Sequence, residues 1–213
     1  MKTNEESKKR VHNLIIVDES GSMSVIRRQA FAGMNETLQT VRKMQEMYAD
    51  QEQHVTLVTF DSDHTTWHYD NAPAAMTKNL GWNDYRPGGC TPLYDAMGKA
   101  ISKVNAQVGE DDNVLVTVIT DGEENSSQEW TLKMIRTMIE KLKKQHWTFT
   151  LIGTDNLDVE GMARSFAIDE HMEFCQSEEG TRAMFNRESR SRMRFNKCLS
   201  ENCPMPAGSF FDE

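Results

Sequence analysis

Leu14-Ile15-Ile16-Val17-Asp18-Glu19-Ser20-Gly21-Ser22 is the stretch that decides the fold, because four apolar residues run directly into a polar segment. An uninterrupted apolar run of this length is typical of a strand buried on both faces of a parallel sheet. Open α/β sheets bind their ligands beyond the carboxyl ends of the strands. The polar segment is therefore predicted to lie at a binding edge.

Two further segments carry the same kind of side chains. Thr120-Asp121-Gly122 follows a second apolar run, and Gly89-Cys90-Thr91-Pro92-Leu93 lies in a glycine-rich loop just before a predicted helix. All three segments can meet at one rim of the sheet, where they offer hydroxyls and carboxylates but no histidine. This donor set suits a hard cation such as Mg²⁺ or Mn²⁺ better than zinc.

The rest of the chain alternates between strand and helix patterns, which predicts an α/β fold. The link at residues 61–63 is short enough for a hairpin, so the third strand is expected to be an antiparallel edge. We therefore predict a doubly wound, mostly parallel sheet with one antiparallel edge strand and helices on both faces. The strands are predicted at residues 12–18, 54–61, 65–69, 113–120, 148–153 and 172–175, and the helices at residues 24–48, 92–107, 128–145, 158–166 and 179–199.

Composition sets the bounds on domain number and compartment. A chain of 213 residues predicts one domain, with a charged extension at residues 1–10, the domain at 11–200 and a tail at 201–213. The four cysteines show no Cys-x-x-Cys spacing, which favours free thiols. A charged N-terminus without an apolar stretch, and the lack of any apolar run of about 18 residues, predict a cytoplasmic protein that does not enter a membrane.

The charge pattern bears on the class of partner. The formal net charge of −9 argues against nucleic-acid binding, which needs a basic surface. The last predicted helix is nevertheless basic, and two interpretations stay open: a solvated helix face, or a docking surface for an acidic partner. Its basic residues are Arg182, Arg187, Arg190, Arg192, Arg194 and Lys197.

The three polar segments together resemble the metal-ion-dependent adhesion site of von Willebrand factor A domains, with its Asp-x-Ser-x-Ser, distant Thr and distant Asp. The resemblance extends over residues 11 to about 176. Within that range, the chain is similar to the small stand-alone bacterial members of the family. It implies that Ser20 and Ser22 bind the metal directly and that Thr91 binds it directly or through water. It also implies that Asp18 and Asp121 supply charge and hold waters, and that a sixth position is left for a partner.

The function implied by this resemblance is metal-dependent protein–protein interaction, with Mg²⁺ or Mn²⁺ as the cofactor and an Asp or Glu carboxylate of the partner as the incoming ligand. Neutral hydroxyls leave the charge of the cation poorly neutralised, which favours such a ligand. One alternative is a regulatory subunit of a larger machine, such as an ATPase or chelatase assembly or a stress or defence cluster.

An enzymatic alternative is a haloacid-dehalogenase-like phosphotransferase, but that family has a second Asp where this chain has Ser20. The chain also lacks Gly-x-Ser-x-Gly, His-Glu-x-x-His, Walker and dinucleotide-binding motifs, so no enzymatic activity is expected.

Several neighbours of the predicted site carry separate expectations. Glu19 is expected to point away from the metal, Glu123 and Glu124 to form an acidic wall, and Cys90 to be a small packed residue. Asp95 is either an acceptor behind the site or a solvated helix residue, and Asp155 is a further candidate for the same rim. Two interpretations of Phe210 and Phe211 stay open: they dock onto a partner or another copy, giving self-association, or they fold back onto the domain.

Overall fold

The computed structural model describes residues 8–203, 205–206 and 208–212. Its strands are β1 (Lys9–Asp18), β2 (Gln51–Phe60), β3 (Thr65–Pro73), β4 (Asn113–Thr120), β5 (Trp147–Thr154) and β6 (Glu170–Phe174). Its α-helices are α1 (Arg27–Met47), α2 (Leu93–Asn105), α3 (Leu132–Leu142), α4 (Val159–Phe166) and α5 (Glu178–Ser200). Short 3₁₀ helices occupy Gly21–Ile26, Ala74–Met76 and Trp82–Asp84.

The six strands form one sheet in the order β3-β2-β1-β4-β5-β6. Only β3 runs antiparallel, pairing with β2 at the edge. This confirms the predicted α/β fold with a mostly parallel sheet and one antiparallel edge strand. In the register of the central strands, Asp18 lies opposite Phe60 and Val17 lies opposite Ile119, so β1, β2 and β4 end level with one another.

The side chains of β1 divide the core into two halves. Ile15 and Val17 pack on the face that α1 and α5 cover, whereas Leu14 and Ile16 pack on the face that α2, α3 and α4 cover. All four side chains are at most 2% exposed. Alternation of side chains along a strand that is covered on both faces explains why the sequence shows a continuous apolar run.

Two helix starts differ from the sequence prediction. The predicted helix at residues 24–48 is a 3₁₀ turn that passes into α1 at Arg27. The predicted helix at residues 128–145 begins only at Leu132, after the N-cap Thr131. Its expected first residues are held outside the helix because the Asp95 carboxylate accepts their backbone N–H groups, those of Gln128, Glu129 and Trp130.

The basic face predicted on the last helix is not simply solvated. Arg192 is fully buried and donates to Glu188, while Arg187 and Arg194 donate to backbone carbonyls of the tail. Much of this charge therefore serves the fold. None of the helices in the part of the chain that the structure describes combines the length and apolarity that a membrane span needs.

Both ends of the chain deviate from their expected roles. β1 begins at Lys9, inside the predicted extension, while residues 1–7 lie outside the described residues. At the other end, Phe210 and Phe211 are buried in the core, and the Phe210 N–H donates to Glu170 Oε2 at 2.8 Å. Of the two interpretations of these rings, the structure has the one in which they fold back onto the domain.

Candidate metal centre

Asp18 lies at the carboxyl end of β1 and is fully buried. Its Oδ1 accepts from the backbone N–H of Ser20 at 2.7 Å, and its Oδ2 accepts from Thr120 Oγ1 at 2.6 Å. The Tyr85 hydroxyl donates to the Asp18 carbonyl at 2.7 Å. These contacts fix the carboxylate between the ends of β1 and β4.

Asp121 brings the end of β4 to the same point. Ser22 Oγ donates to Asp121 Oδ1 at 2.7 Å, and Ser20 Oγ lies 3.2 Å from Ser22 Oγ. The other carboxylate oxygen, Asp121 Oδ2, accepts from Gln176 Nε2 at 2.7 Å. Asp18, Ser20, Ser22 and Asp121 therefore form one chain of oxygen atoms, and only Ser22 among them is exposed.

Thr91 reaches this cluster from the loop before α2. Its N–H donates to Asn125 Oδ1 at 2.8 Å, and the loop is tied to the end of β1 through the N–H of Gly21, which donates to the Gly89 carbonyl at 3.1 Å. A Cβ built on Gly122 would lie 3.0 Å from Thr91 Oγ1 and 3.7 Å from Ser22 Oγ. The threonine and serine hydroxyls thus line the same small space, which a larger residue at position 122 would fill.

The electrostatics of the two buried carboxylates are unfavourable for the isolated chain. Burial and, to a smaller extent, the neighbouring charge of Asp121 raise the pKa of Asp18 to about 6, against the lowering effect of hydrogen bonds from Thr120 and Ser20. Burial also raises the pKa of Asp121, although Ser22 and Gln176 donate to it. The groups that lower both pKa values are neutral donors, so among the described residues no cationic side chain acts on either of these two neighbouring negative charges.

This arrangement fits the chemistry of a hard divalent cation. All five predicted residues offer oxygen atoms, which Mg²⁺ and Mn²⁺ prefer over nitrogen or sulfur. Two buried carboxylates whose neighbours in the described chain are neutral donors are electrostatically costly, and a bound cation would relieve that cost. The residues present therefore suit the predicted ion.

Several neighbours have structural contacts of their own. The Glu19 carboxylate accepts from the Arg86 backbone N–H, so it holds the adjacent loop. Glu124 accepts from the N–H groups of Ser126 and Ser127, which shows that it orders its loop instead of standing free in an acidic wall. Asp95 is the acceptor for residues 128–130, which neither of its two interpretations foresaw.

Cys90 is exposed, so the expectation that it is a packed residue was wrong. Asp155 Oδ1 accepts from the backbone N–H of Gln176 at 3.1 Å and so supports the residue that binds Asp121. Sequence reasoning missed the roles of Gln176, Thr120 and Tyr85. Of these, only Thr120 carried a signal, because it directly precedes Asp121 at a strand end.

A separate group of possible ligands lies at the β2–β3 turn. One ligand atom each from Asp61, Asp63 and His64 lies within 4.8 Å of the others. Asp61 Oδ1, however, accepts from the backbone N–H groups of Asp63 at 2.7 Å and of His64 at 2.6 Å. These contacts account for the cluster as an ordinary turn.

Comparison with solved structures shows the same fold in larger and equally sized proteins. The pilus adhesin SpaC from Lactobacillus rhamnosus GG has a TM-score of 0.67 at 13% identity, covering 88% of this chain and 31% of that one. Proximal thread matrix protein 1 from the mussel byssus has a TM-score of 0.63 at 15% identity, covering 88% of this chain and 47% of that one. The present chain therefore spans less than half the length of either protein.

The von Willebrand factor domain of the type V pili tip protein Mfa5 from Porphyromonas gingivalis has a TM-score of 0.64 at 10% identity, covering 93% of this chain and 98% of that one. A comparison with curated protein sequences gives no match. A family model of the von Willebrand factor type A domain matches residues 14–191. This range includes all of the oxygen cluster, which consists of Asp18, Ser20, Ser22, Thr91 and Asp121. The chain therefore belongs to the von Willebrand factor type A domain family.

Proposed function

We propose that this chain is a protein-binding module whose binding depends on a divalent cation, Mg²⁺ or Mn²⁺. Asp18, Ser20, Ser22, Thr91 and Asp121 would hold the ion. When bound, the ion supplies a positive centre that attracts an Asp or Glu carboxylate of a partner protein. Activity as an enzyme is not part of this proposal.

The observation that carries the proposal is the buried pair Asp18 and Asp121, with raised pKa values and only neutral donors around them. A site that served the fold alone would gain from a cationic side chain or from amides in place of the carboxylates. Ser22 is the exposed member and Thr91 is buried, so the cluster would open to a partner at the Ser22 hydroxyl.

The comparisons support the class of function. Two of the similar structures are a pilus adhesin and a pilus tip protein, and the family model covers most of this chain. Shared fold does not name the partner, which we propose only by its chemistry, a surface carboxylate.

The test is to titrate the EDTA-stripped chain with MgCl₂ and with MnCl₂ and to measure the heat of binding by calorimetry. We expect saturable binding by the wild type, and loss of binding in Ser22→Ala. At an ion concentration of 100 Kd, mass action should add about 2.7 kcal/mol to the free energy of unfolding. For a domain of this size that corresponds to a rise in Tm of roughly 5 to 10 °C.

Ser24→Ala is the matched control, since Ser24 is an exposed serine on the same 3₁₀ helix and should leave binding unchanged. Absence of binding of either ion at millimolar concentration would refute the metal site. Proteins that the immobilised chain captures equally well in Mg²⁺ and in EDTA would refute the metal dependence of the interaction.

A further inference from the structure

The C-terminal end of α5 places two cysteines in a specific backbone motif. Asn202 has a φ of +51°, in the left-handed region. The Cys203 N–H donates to the Cys198 carbonyl at 2.8 Å, and the Asn202 N–H donates to the Leu199 carbonyl at 3.3 Å. These two bonds define a Schellman motif with Cys198 and Cys203 at the two positions whose side chains commonly touch.

The backbone bond also limits the separation of the two cysteines. An N–Cα bond of about 1.5 Å and a Cα···O separation of about 2.4 Å extend the 2.8 Å contact at its two ends. The two Cα atoms can therefore be no more than about 6.7 Å apart, within the range that disulfides span. Both thiols are free, with Cys203 exposed and Cys198 partly buried.

A contact from the other end of the molecule steadies the motif. Lys9 Nζ donates to Asn202 Oδ1 at 2.6 Å and also to the Leu199 carbonyl. The start of β1 thus holds the left-handed residue that brings the two cysteines together. The pair is preorganised by the fold and does not depend on a chance encounter of flexible segments.

We propose that Cys198 and Cys203 are a site of reversible disulfide formation by exchange with a small-molecule disulfide such as glutathione disulfide. The exposed Cys203 thiolate attacks one sulfur of glutathione disulfide, forming a mixed disulfide and releasing one glutathione. The Cys198 thiolate then attacks the Cys203 sulfur, forming the intramolecular bond and releasing the second glutathione. The two thiol protons end on the two glutathione molecules, so the exchange balances.

The disulfide would fasten the point at which the tail leaves α5. Beyond it, residues 208–212 return to the domain with Phe210 and Phe211 in the core. Whether this disulfide is formed would thus depend on the ratio of thiol to disulfide in the surroundings. Its formation would change how the tail is attached to α5, at a point remote from the oxygen cluster.

The experiment treats the full folded chain with glutathione disulfide, blocks remaining thiols, and maps tryptic peptides by mass. Residues 198–213 contain no Lys or Arg, so both cysteines fall on one peptide. We expect that peptide to lose the mass of two hydrogen atoms. The exposed Cys90 and Cys175, on other peptides, should carry only glutathione or the blocking group. In Cys198→Ser, Cys203 should retain glutathione because the resolving thiol is gone.

Two variants of the left-handed residue test the geometry. Asn202→Gly and Asn202→Val both lose the contact with Lys9, but only glycine accepts a positive φ without strain. We expect the equilibrium constant for the disulfide to be about tenfold lower in the valine variant than in the glycine variant. Equal constants would overturn the proposal, as would a wild-type chain in which Cys203 stays glutathionylated or pairs with Cys90 or Cys175.

Discussion

Asp18 illustrates how a single residue can be unfavourable for the fold and still lie at the centre of the oxygen cluster. Its carboxylate is fully buried, and its raised pKa of about 6 means that the folded chain holds a proton there more tightly than the unfolded chain does. In the metal-free protein this residue therefore removes stability as pH rises from about 4 to about 6, and the full cost persists above that window.

We predict that Asp18→Asn stabilises the metal-free chain at neutral pH. The shift in pKa corresponds to about 3 kcal/mol as an upper bound, since one unit is about 1.4 kcal/mol. Asparagine can still accept from the Ser20 N–H but carries no charge. The measurement is urea unfolding in EDTA at a series of pH values. The difference between variant and wild type should grow from pH 4 to pH 6 and then level off.

Mg²⁺ provides the control for this prediction. It should stabilise the wild type and leave Asp18→Asn unchanged, because the variant cannot hold the ion. A variant that is less stable than the wild type in EDTA at neutral pH would show that the carboxylate serves the fold itself.

The residues of the cluster were largely predictable because each lies directly after a predicted strand or before a predicted helix. Asp18, Ser20, Ser22 and Asp121 are joined by hydrogen bonds, and Thr91 lies beside them. Gln176 was not predictable, since it follows β6 in a stretch without any ligand pattern. Its contact with Asp121 depends on the packing of β6 beside β5, which no local spacing encodes.

At the scale of single elements, α5 departs most from its sequence pattern. The face that it presents to the sheet is partly polar and meets polar residues of β1 and β4. Arg192 Nη1 donates to Asn13 Oδ1 at 2.7 Å, and its Nη2 donates to Thr117 Oγ1 at 2.8 Å. A buried helix face is predicted from apolar residues at helical spacing. A buried arginine that contacts polar residues of the sheet is therefore assigned to a solvated face.

We predict that Arg192→Met destabilises the chain by roughly 3 to 5 kcal/mol. The substitution leaves Glu188, which is 1% exposed, as a buried charge without its ion-pair partner. The double variant Arg192→Met with Glu188→Leu should recover most of the loss because no buried charge remains. Chemical denaturation of the wild type and the three variants, including Glu188→Leu alone, gives the complete cycle.

A double variant as unstable as the worse single variant would contradict this account. That outcome would mean that the hydrogen bonds to Asn13 and Thr117 carry the stability of the contact. Arg182→Met is the matched control, since it removes an exposed arginine from the same helix and should change stability by less than about 0.5 kcal/mol.

At the scale of the whole molecule, the sequence determined the layered α/β architecture well, because long apolar runs and helical periodicity are strong local signals. The sheet order places β1 between β2 and β4, and this makes the strand end at Asp18 a neighbour of the strand end before Asp121. The role of the tail was less accessible. Two prolines and a lack of periodicity suggested a separate segment, whereas the contacts that hold it come from distant residues such as Glu170 and Arg194.

The last prediction is that removal of residues 208–213, of which the structure describes 208–212, lowers the stability of the whole domain. Phe210 is fully buried and its ring centroid lies 6.1 Å from that of Phe195 and 4.9 Å from that of Phe211. Burial of one such side chain contributes about 1.5 to 3 kcal/mol. Deletion should therefore cost several kcal/mol, less the chain entropy that the free tail regains.

Phe210→Ala tests the packing without shortening the chain, and a cost of about 3 to 5 kcal/mol is expected for a buried phenylalanine. Asp212→Ala is the control, because Arg194 contacts only the backbone carbonyl of that exposed residue. Analytical ultracentrifugation of the same proteins tests the other interpretation of the tail, in which it docks onto a second copy. If Phe210→Ala melted at the wild-type temperature but lost self-association, the rings would serve docking and the packing account would be wrong. A lower Tm with unchanged sedimentation would instead assign the rings to the core, because removing a ring that the domain had buried leaves a cavity and costs stability in the monomer itself.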